Sequence, residues 1–176
     1  MSLAFEHSEA IQMYYFAYGS NMSLKRLQAR VPSAVPLCSA TLTHYQLRFH
    51  KRGKDLSAKA DAHFTGRPED KVMGVLYSMD PVEKPYLDNA EGAGFGYDCI
   101  EVELGLKEGQ CQSALTYVAL HIDRSMRPYR WYKQHVVQGA LEAGLPDDYV
   151  ALIHNVSSID DPDVERHLRE SSIYQV

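Results

Sequence analysis

Two stretches of the sequence carry side chains that could do chemistry. One is Tyr18-Gly19-Ser20-Asn21, which follows an apolar run, and the other is Glu91, which precedes a glycine-rich segment. Ser20 after a glycine at the end of a strand is typical of a nucleophile loop. The amides and side-chain donors of Ser20 and Asn21 would equally suit a carboxylate or a developing oxyanion. A helix cap without a ligand is the third interpretation of this turn.

A serine nucleophile is the less favoured of these interpretations. The G-x-S-x-G pattern requires glycines where Tyr18 and Met22 stand, and no clear base with an orienting acid follows. Gly19 can adopt backbone angles that residues with a β-carbon avoid. The amides around Ser20 and Asn21 would then point outward at the start of the next helix, where negative charge is stabilised. The turn is therefore predicted to bind an anion.

Glu91 stands where a carboxylate is electrostatically disfavoured. It ends a helix that is predicted to begin at Asp80, with Asp80 as the cap, Pro81 in the first turn and Glu83 three residues after the cap. An acid at the negative end of a helix dipole is disfavoured by roughly 0.3–1 kcal/mol. Burial would raise its pKa further toward neutrality, and such a carboxyl group can both take and return a proton. Glu91 is therefore the candidate general acid/base.

The sequence contains no local pattern for a metal or a nucleotide. The eight histidines show no HxxxH, HExxH or Cys-His spacing, although ligands could still converge in space. The glycine-rich run 92–96 lacks the G-x-G-x-x-G pattern and leads from helix to strand, the opposite of a dinucleotide-binding turn. We therefore expect no metal and no cofactor.

The composition limits the classes of partner. The chain has 176 residues, 45% of them hydrophobic, and a formal net charge of −5. The length suits one domain with its own core, and the negative charge argues against binding of nucleic acid through its phosphates. The basic run 48–54 (RFHKRGK) departs from this balance. It is predicted to be a solvated hairpin loop, with attraction of an anionic substrate as the second interpretation and an RNA contact as the third.

Cysteine usage and hydropathy predict a cytoplasmic protein. Cys38, Cys99 and Cys111 are an odd set without a CxxC pair, so reduced, buried thiols are expected in place of a disulfide scaffold. Residues 1–12 contain no apolar core of signal-peptide length and are predicted to be a flexible extension. No later segment approaches a membrane-spanning run. A monomer and a homodimer both stay open.

Strands with helices inserted between them must position these groups. Strands are predicted over 13–17, 36–49, 60–64, 71–79, 97–106 and 111–122. Helices are predicted around 24–31, over 80–90 and 130–143, and from starts at Pro146 and at Asp161-Pro162. The predicted class is α+β in one domain over 1–176, with a mixed sheet that curls into a barrel and a helical C-terminal third.

Four segments resemble the gamma-glutamylcyclotransferase family, in that family's order along the chain. They are YFAYGSNM (15–22), VMGVLY (72–77), LDNAEGAGFGYDCIEVEL (87–104) and YKQHVVQGALEAGLPDDY (132–149), of which the first and third are the specific ones. The resemblance implies a small mixed β-barrel with flanking helices. The basic run and SAKADA at 57–62 are more similar to bacterial members than to the animal glutathione-pathway enzyme.

The resemblance also implies the site and its reaction. In this family the loop that matches residues 18–21 lines the pocket, the glutamate that matches Glu91 is the acid/base, and a nearby tyrosine matches Tyr97 across a loop that is one residue shorter here. The α-amine of a gamma-glutamyl substrate attacks its own γ-carbonyl, which gives 5-oxoproline and a released amine. Because the attack is intramolecular, holding the substrate folded removes on the order of several kcal/mol of the barrier.

Two alternatives remain beside this cyclotransferase. One is a non-catalytic module that binds a small molecule on the same fold, and the less favoured one is a hydrolase that uses Ser20. The residues that contact the leaving group are expected in 48–59 and 92–96, and the identity of the substrate is not predicted.

Overall fold

The computed structural model describes residues 12–174, so the predicted extension over 1–12 lies almost entirely outside the described residues. The strands are β1 (Met13–Ala17), β2 (Val35–Thr43), β3 (Tyr45–Arg52), β4 (Ala58–Phe64), β5 (Lys71–Met79), β6 (Tyr97–Gly105) and β7 (Cys111–Ala119). The helices are α1 (Leu24–Gln28), α2 (Lys84–Glu91), α3 (Arg130–Glu142), α4 (Asp147–His154) and α5 (Val164–Ser171).

Five strands close into a barrel in the order β1-β5-β2-β6-β7. The sheet is mixed, because β1 runs antiparallel to β5 but parallel to β7. Strands β3 and β4 form a separate antiparallel pair. This pair is connected to the barrel by a hydrogen bond of 2.8 Å, which the Ala119 amide on β7 donates to the Asp61 carboxylate on β4. The predicted class, α+β with a small mixed barrel and flanking helices, is confirmed.

Strand β1 carries the chain through the core to the first candidate stretch. Phe16 and Ala17 are completely buried. Gly74 on β5 permits the close approach of the two strands, since a β-carbon there would lie 2.2 Å from the Ala17 carbonyl oxygen. On the other side, the Thr116 hydroxyl donates a hydrogen bond of 2.9 Å to the Phe16 carbonyl. The end of β1 is therefore held from both neighbouring strands.

The segment predicted as one extended stretch over 36–49 is two strands. His44, with φ of 70°, turns the chain between β2 and β3. The basic run 48–54 is also not a solvated hairpin loop, because its first five residues belong to β3 and the turn follows at Gly53. Within the run His50 is 4% exposed and Lys51 is 7% exposed. This prediction was wrong because residues 48–52 pair with β4 in an antiparallel hairpin whose turn begins only at Gly53, and local polarity does not reveal where the strand ends.

The C-terminal helices agree with the sequence, apart from one start. Helix α3 ends close to Gly144, whose φ of 60° stops the helix as predicted. The last helix begins at Val164 and not at Asp161-Pro162, because Asp163 caps it by accepting a hydrogen bond from the Arg166 amide. Asp161 instead binds the Arg166 guanidinium at 2.5 Å.

The three cysteines are free thiols, but they are less buried than expected. Cys38 and Cys99 are half-buried and Cys111 is exposed, so the prediction of a buried thiol was wrong for Cys111. Cys111 is the first residue of β7 and pairs with Gly105 at the end of β6. Over residues 12–174, none of the helices combines the length and apolar character needed to cross a membrane.

Candidate active site

The loop after β1 is fixed by contacts from β5 and α3. Residues Ser20–Met22 form a single 3-10 turn, closed by a hydrogen bond of 3.0 Å from the Met22 amide to the Gly19 carbonyl. The Tyr77 hydroxyl donates to the Met22 carbonyl at 2.7 Å. Helix α3 approaches at Gly139, where a β-carbon would lie 2.5 Å from that of Met22. The loop is therefore held by its own turn and by contacts from β5 and α3.

Gly19 is needed for space more than for its backbone angles. Its φ is −108°, outside the left-handed region that favours glycine. A β-carbon at this position would lie 3.2 Å from that of Ala60 and 3.5 Å from the Tyr132 hydroxyl. The glycine thus lets the loop lie against β4 and α3.

Glu91 meets this loop from the end of α2. Gly92 follows it with φ of 65° and turns the chain away, so that Glu91 is the last helical residue, as predicted. Its side chain is 15% exposed. The Asn21 side-chain amide donates a hydrogen bond of 2.7 Å to the Glu91 carboxylate. Two stretches that are 70 residues apart in the chain therefore form one site.

Asn21 is oriented by two further partners. Arg30 donates a hydrogen bond of 2.8 Å to the Asn21 carbonyl oxygen, which leaves the amide nitrogen facing Glu91. The same nitrogen donates to the Tyr15 hydroxyl at 3.1 Å. The Arg30 guanidinium also lies 3.6 Å from the Glu91 carboxylate. This network gives Asn21 one orientation.

Burial raises the pKa of the Glu91 carboxyl above its ordinary value of 4.5. The Arg30 guanidinium, the hydrogen bond from Asn21 and the Lys51 ammonium act in the opposite direction, but burial is the larger effect. Desolvation disfavours the charged form because the cavity wall replaces water around the carboxylate. A carboxyl group with a raised pKa is suited to take up a proton and to give it back.

A small recess of about 30 Å³ lies between the loop and Glu91. Five tyrosines line it, namely Tyr15, Tyr18, Tyr97, Tyr117 and Tyr132. Burial raises the pKa of Tyr132 to about 12, and it raises the pKa of Tyr15, Tyr18 and Tyr97 well above 10.0. All these phenols are therefore neutral at physiological pH.

Two tyrosines that are predicted to bind substrate donate hydrogen bonds from their hydroxyl groups to backbone carbonyls. The Tyr18 hydroxyl donates to the Tyr117 carbonyl, and the Tyr97 hydroxyl donates to the Ala60 carbonyl at 2.6 Å. The Ala60 amide donates in turn to the Tyr132 hydroxyl at 3.0 Å. Both residues line the recess, yet their hydroxyl groups hold strands β4 and β7 in place.

The recess opens into a cavity of about 490 Å³ with a basic wall. Ser20, Glu91, Tyr97 and Tyr132 line both spaces. The basic residues of the cavity wall are Arg26, Arg30, Lys51, Arg52, Lys54 and Lys59, against the two acids Asp55 and Glu91. The volume falls in the range of small-molecule sites. A chain with a net charge of −5 thus presents a positively charged cavity.

Sequence reasoning missed several residues of this site. Nothing in the local pattern marks Arg30, which reaches Asn21 across the end of α1. Lys51 lies in the basic run and lines the cavity, and the interpretation of that run as a region attracting an anionic substrate stays a prediction. Tyr15 and Tyr132 were assigned only to a strand and a helix. Among the residues predicted from the sequence, 18–21, 91 and 97 all come together here.

One cluster of metal-type ligands lies outside the cavity. The Nε2 atom of His50 lies 2.7 Å from the Asp61 carboxylate, and Nδ1 of His63 lies 3.9 Å from the same oxygen. The three donor atoms lie within 4.8 Å of one another. Local spacing could not reveal this cluster, because β3 and β4 contribute to it jointly. None of the three residues lines the cavity or the recess.

Comparison with known proteins finds a family model, relatives and solved structures that this chain resembles. A model of the AIG2-like family matches residues 71–153. Gamma-glutamylcyclotransferases of Mus musculus and Homo sapiens are 34% and 35% identical over 139 residues, which cover 77% of this chain and 73% of each relative. A solved gamma-glutamyl cyclotransferase superposes with a TM-score of 0.79 at 27% identity and covers 91% of this chain and 99% of its own.

The chain belongs to the gamma-glutamylcyclotransferase family and is an enzyme of that class. The resemblance carried by the four sequence segments is confirmed. YkqA of Bacillus subtilis shares the fold, with a TM-score of 0.68 at 23% identity over 84% of this chain and 56% of its own. A bacterial-type membership stays a prediction.

Proposed function

We propose that this enzyme converts a gamma-glutamyl amine or peptide into 5-oxoproline and the released amine, with Glu91 as general acid/base. The observation that carries the proposal is the side chain of Glu91, which lies at the junction of the recess and the cavity and is hydrogen-bonded to Asn21 at 2.7 Å. The relatives in mouse, human and cattle carry the name of this activity.

The reaction needs one group that moves a proton between two nitrogens. The substrate's α-amine forms a bond to its own γ-carbonyl carbon, and the bond from that carbon to the leaving nitrogen breaks. Glu91 takes the proton from the attacking nitrogen and returns it to the leaving nitrogen. Its raised pKa suits both steps, because burial makes the Glu91 carboxylate a better proton acceptor than an exposed glutamate.

The loop supplies donors for the anionic part of the substrate. Within residues 12–174, the backbone N–H groups of Ser20 and Asn21 donate to no hydrogen-bond acceptor. Free amides beside the recess can bind the α-carboxylate or the oxyanion that develops on the γ-carbonyl. Both roles draw on the same donors, and both hold the substrate folded so that its amine meets its own carbonyl.

The shape of the site favours a two-part substrate. The recess is about the size of one small polar group, and the cavity is more than ten times larger. A gamma-glutamyl group with its carboxylate at the loop would extend past Glu91 into the cavity, where the leaving half would lie.

The test is product formation by the purified protein. A panel of gamma-glutamyl dipeptides is incubated with the enzyme, and 5-oxoproline is measured by liquid chromatography. We expect release from at least one dipeptide and a loss of about 10²–10⁴ in rate for Glu91→Gln. Glu103→Gln, an exposed glutamate on β6, is the matched control and should keep wild-type activity. Full activity of Glu91→Gln would exclude the proposed role.

The geometry gives less support to the two alternatives. Among the described residues, no histidine and no carboxylate is hydrogen-bonded to the Ser20 hydroxyl, so Ser20 lacks the base that a nucleophile requires. A module that only binds would show ligand-induced thermal stabilisation without any 5-oxoproline release, which the same panel measures. Labelling of Ser20 by an activated phosphonate would support the hydrolase.

A further inference from the structure

The six basic residues of the cavity wall fall into two groups. Three have partners within the protein. Arg26 lies 2.8 Å from the Glu170 carboxylate, and Lys59 lies 2.6 Å from that of Asp55. Arg30 is bound to Asn21, as described above. These three are neutralised or oriented before any ligand arrives.

The other three are Lys51, Arg52 and Lys54, and in the described part of the chain they are not held by a close acidic side chain. Within residues 12–174 none of them forms an ion pair or a side-chain hydrogen bond. All three lie at the end of β3 and in the turn that follows it, so they form one wall of the cavity. The side chains of Arg52 and Lys54 are exposed, which keeps their charges available to a ligand.

Lys51 is the informative member of this wall, because it is buried. It is 7% exposed, and its ammonium lies 4.6 Å from the centroid of the Tyr97 ring. Gly96 makes room for it, since a β-carbon there would lie 2.9 Å from the Lys51 ammonium nitrogen. Burial lowers the pKa of Lys51, and the Glu91 carboxylate opposes that shift. A buried charge without a close counterion is unfavourable, and an anion in the cavity would relieve it.

We propose that Lys51, Arg52 and Lys54 form a subsite for the leaving half of the substrate, and that it selects gamma-glutamyl compounds whose amine half carries two negative charges. This inference rests on the proposed function. A leaving half with a single carboxylate would match one of the three cations. An acidic amino acid, with its α-carboxylate and its side-chain carboxylate, matches the wall more completely.

The proposed subsite and the candidate acid/base lie in the same cavity. Lys51 and Glu91 line the same cavity and interact electrostatically, yet they do not form an ion pair. An anion bound at Lys51 therefore leaves the Glu91 carboxylate free to exchange protons. Tyr97 lies between the recess and the Lys51 ammonium, so a substrate that spans both would cross the edge of its ring.

The test compares two dipeptides that differ by one charge. Gamma-glutamyl-glutamate and gamma-glutamyl-glutamine have nearly the same shape, and kcat/KM is measured for both. We expect about a tenfold preference for the glutamate compound, the size of one charge-assisted contact. Arg52→Gln combined with Lys54→Gln should bring the ratio of the two values close to one. Lys71→Gln, an exposed lysine away from the cavity, is the control and should leave the ratio unchanged.

The outcomes separate this inference from the proposed function. Equal kcat/KM values in the wild type, or an unchanged ratio in the double variant, would overturn the subsite while leaving the cyclotransferase intact. If neither of these two dipeptides gives 5-oxoproline, thermal stabilisation by them becomes the readout, and the proposed function fails only when the whole panel gives no product. A larger stabilisation by the glutamate compound, lost in the double variant, supports the subsite, and no difference overturns it.

Discussion

The recess and the cavity outside it differ in how their polar groups are satisfied. In the recess the phenols are neutral, and Tyr18, Tyr97 and Asn21 all have hydrogen-bond partners within the protein. In the cavity the wall is basic, and Lys51, Arg52 and Lys54 form no ion pair and no side-chain hydrogen bond among the described residues. The side chains of the recess are thus held by internal hydrogen bonds, whereas these three cations, within the chain as described, are not.

This difference indicates a division of labour. Groups with internal partners keep their positions before substrate binds, which is what proton transfer and oxyanion stabilisation require. Groups with open charges gain their counterions from the ligand, so they affect which compound binds and how strongly. Changes in the recess should therefore alter rate constants, whereas changes in the cavity should alter selectivity.

The largest expected effect in the recess, after loss of Glu91 itself, is that of Asn21→Ala. It removes the donor that positions Glu91 and leaves Arg30 without its acceptor. We expect kcat/KM to fall about 10²-fold, because misplacement by about 1 Å can cost that much. Asn155→Ala, at the exposed end of α4, is the control. A loss confined to KM would show that Asn21 acts in binding and not in positioning Glu91.

The pH dependence of kcat/KM should report the environment of Glu91. Its pKa is raised by burial, so activity that needs the ionised form falls with decreasing pH at a value above 4.5. In Asn21→Ala the same limb should move to still higher pH, because a hydrogen bond that stabilises the carboxylate is lost. Initial rates between pH 4 and 9 measure both limbs. A wild-type limb at or below 4.5 would contradict the assignment.

The free energy of unfolding of the protein should also depend on pH through the Glu91 carboxyl group. A raised pKa stabilises the fold below about pH 4.5, where the group is neutral in both states, and that contribution is lost as pH rises through the folded-state pKa. Glu91→Gln removes the buried charge and should be more stable than wild type at pH 7. A gain of about 1 kcal/mol in the free energy of unfolding would raise the Tm by about 2–4 °C in a chain of this size. Calorimetry at pH 4 and pH 7 measures the change, and equal gains at both values would contradict the mechanism.

The smallest effect is expected for Tyr97→Phe. The change removes the hydroxyl that donates to Ala60 and keeps the ring beneath the Lys51 ammonium. We expect a loss of about 1 kcal/mol in the free energy of unfolding, since a buried carbonyl loses its donor, with kcat/KM changed little. A large fall in kcat/KM at unchanged stability would assign the Tyr97 hydroxyl to the substrate and would weaken the contrast between the two regions.

Much of the fold could be predicted from local sequence. Strands β1 and β5 have the predicted bounds, Asp80 caps its turn, and Gly144 follows the end of α3. These features depend on alternation of apolar residues and on side chains that bond to the nearby backbone. The full length of the β3–β4 hairpin was not predicted, because the basic residues at the end of β3 are typical of a surface loop.

The sequence by itself determined the two stretches that form the candidate site, residues 18–21 and Glu91. Turns and helix ends can be predicted in this way because they depend on residues that are neighbours in the chain. Only the tertiary structure decided that Arg30 orients Asn21, that burial raises the pKa of Glu91, and that Lys51 lies in the cavity wall. The physical reason is that desolvation and charge pairing depend on what surrounds a group in space. Those surroundings come from strands and helices far apart in the chain.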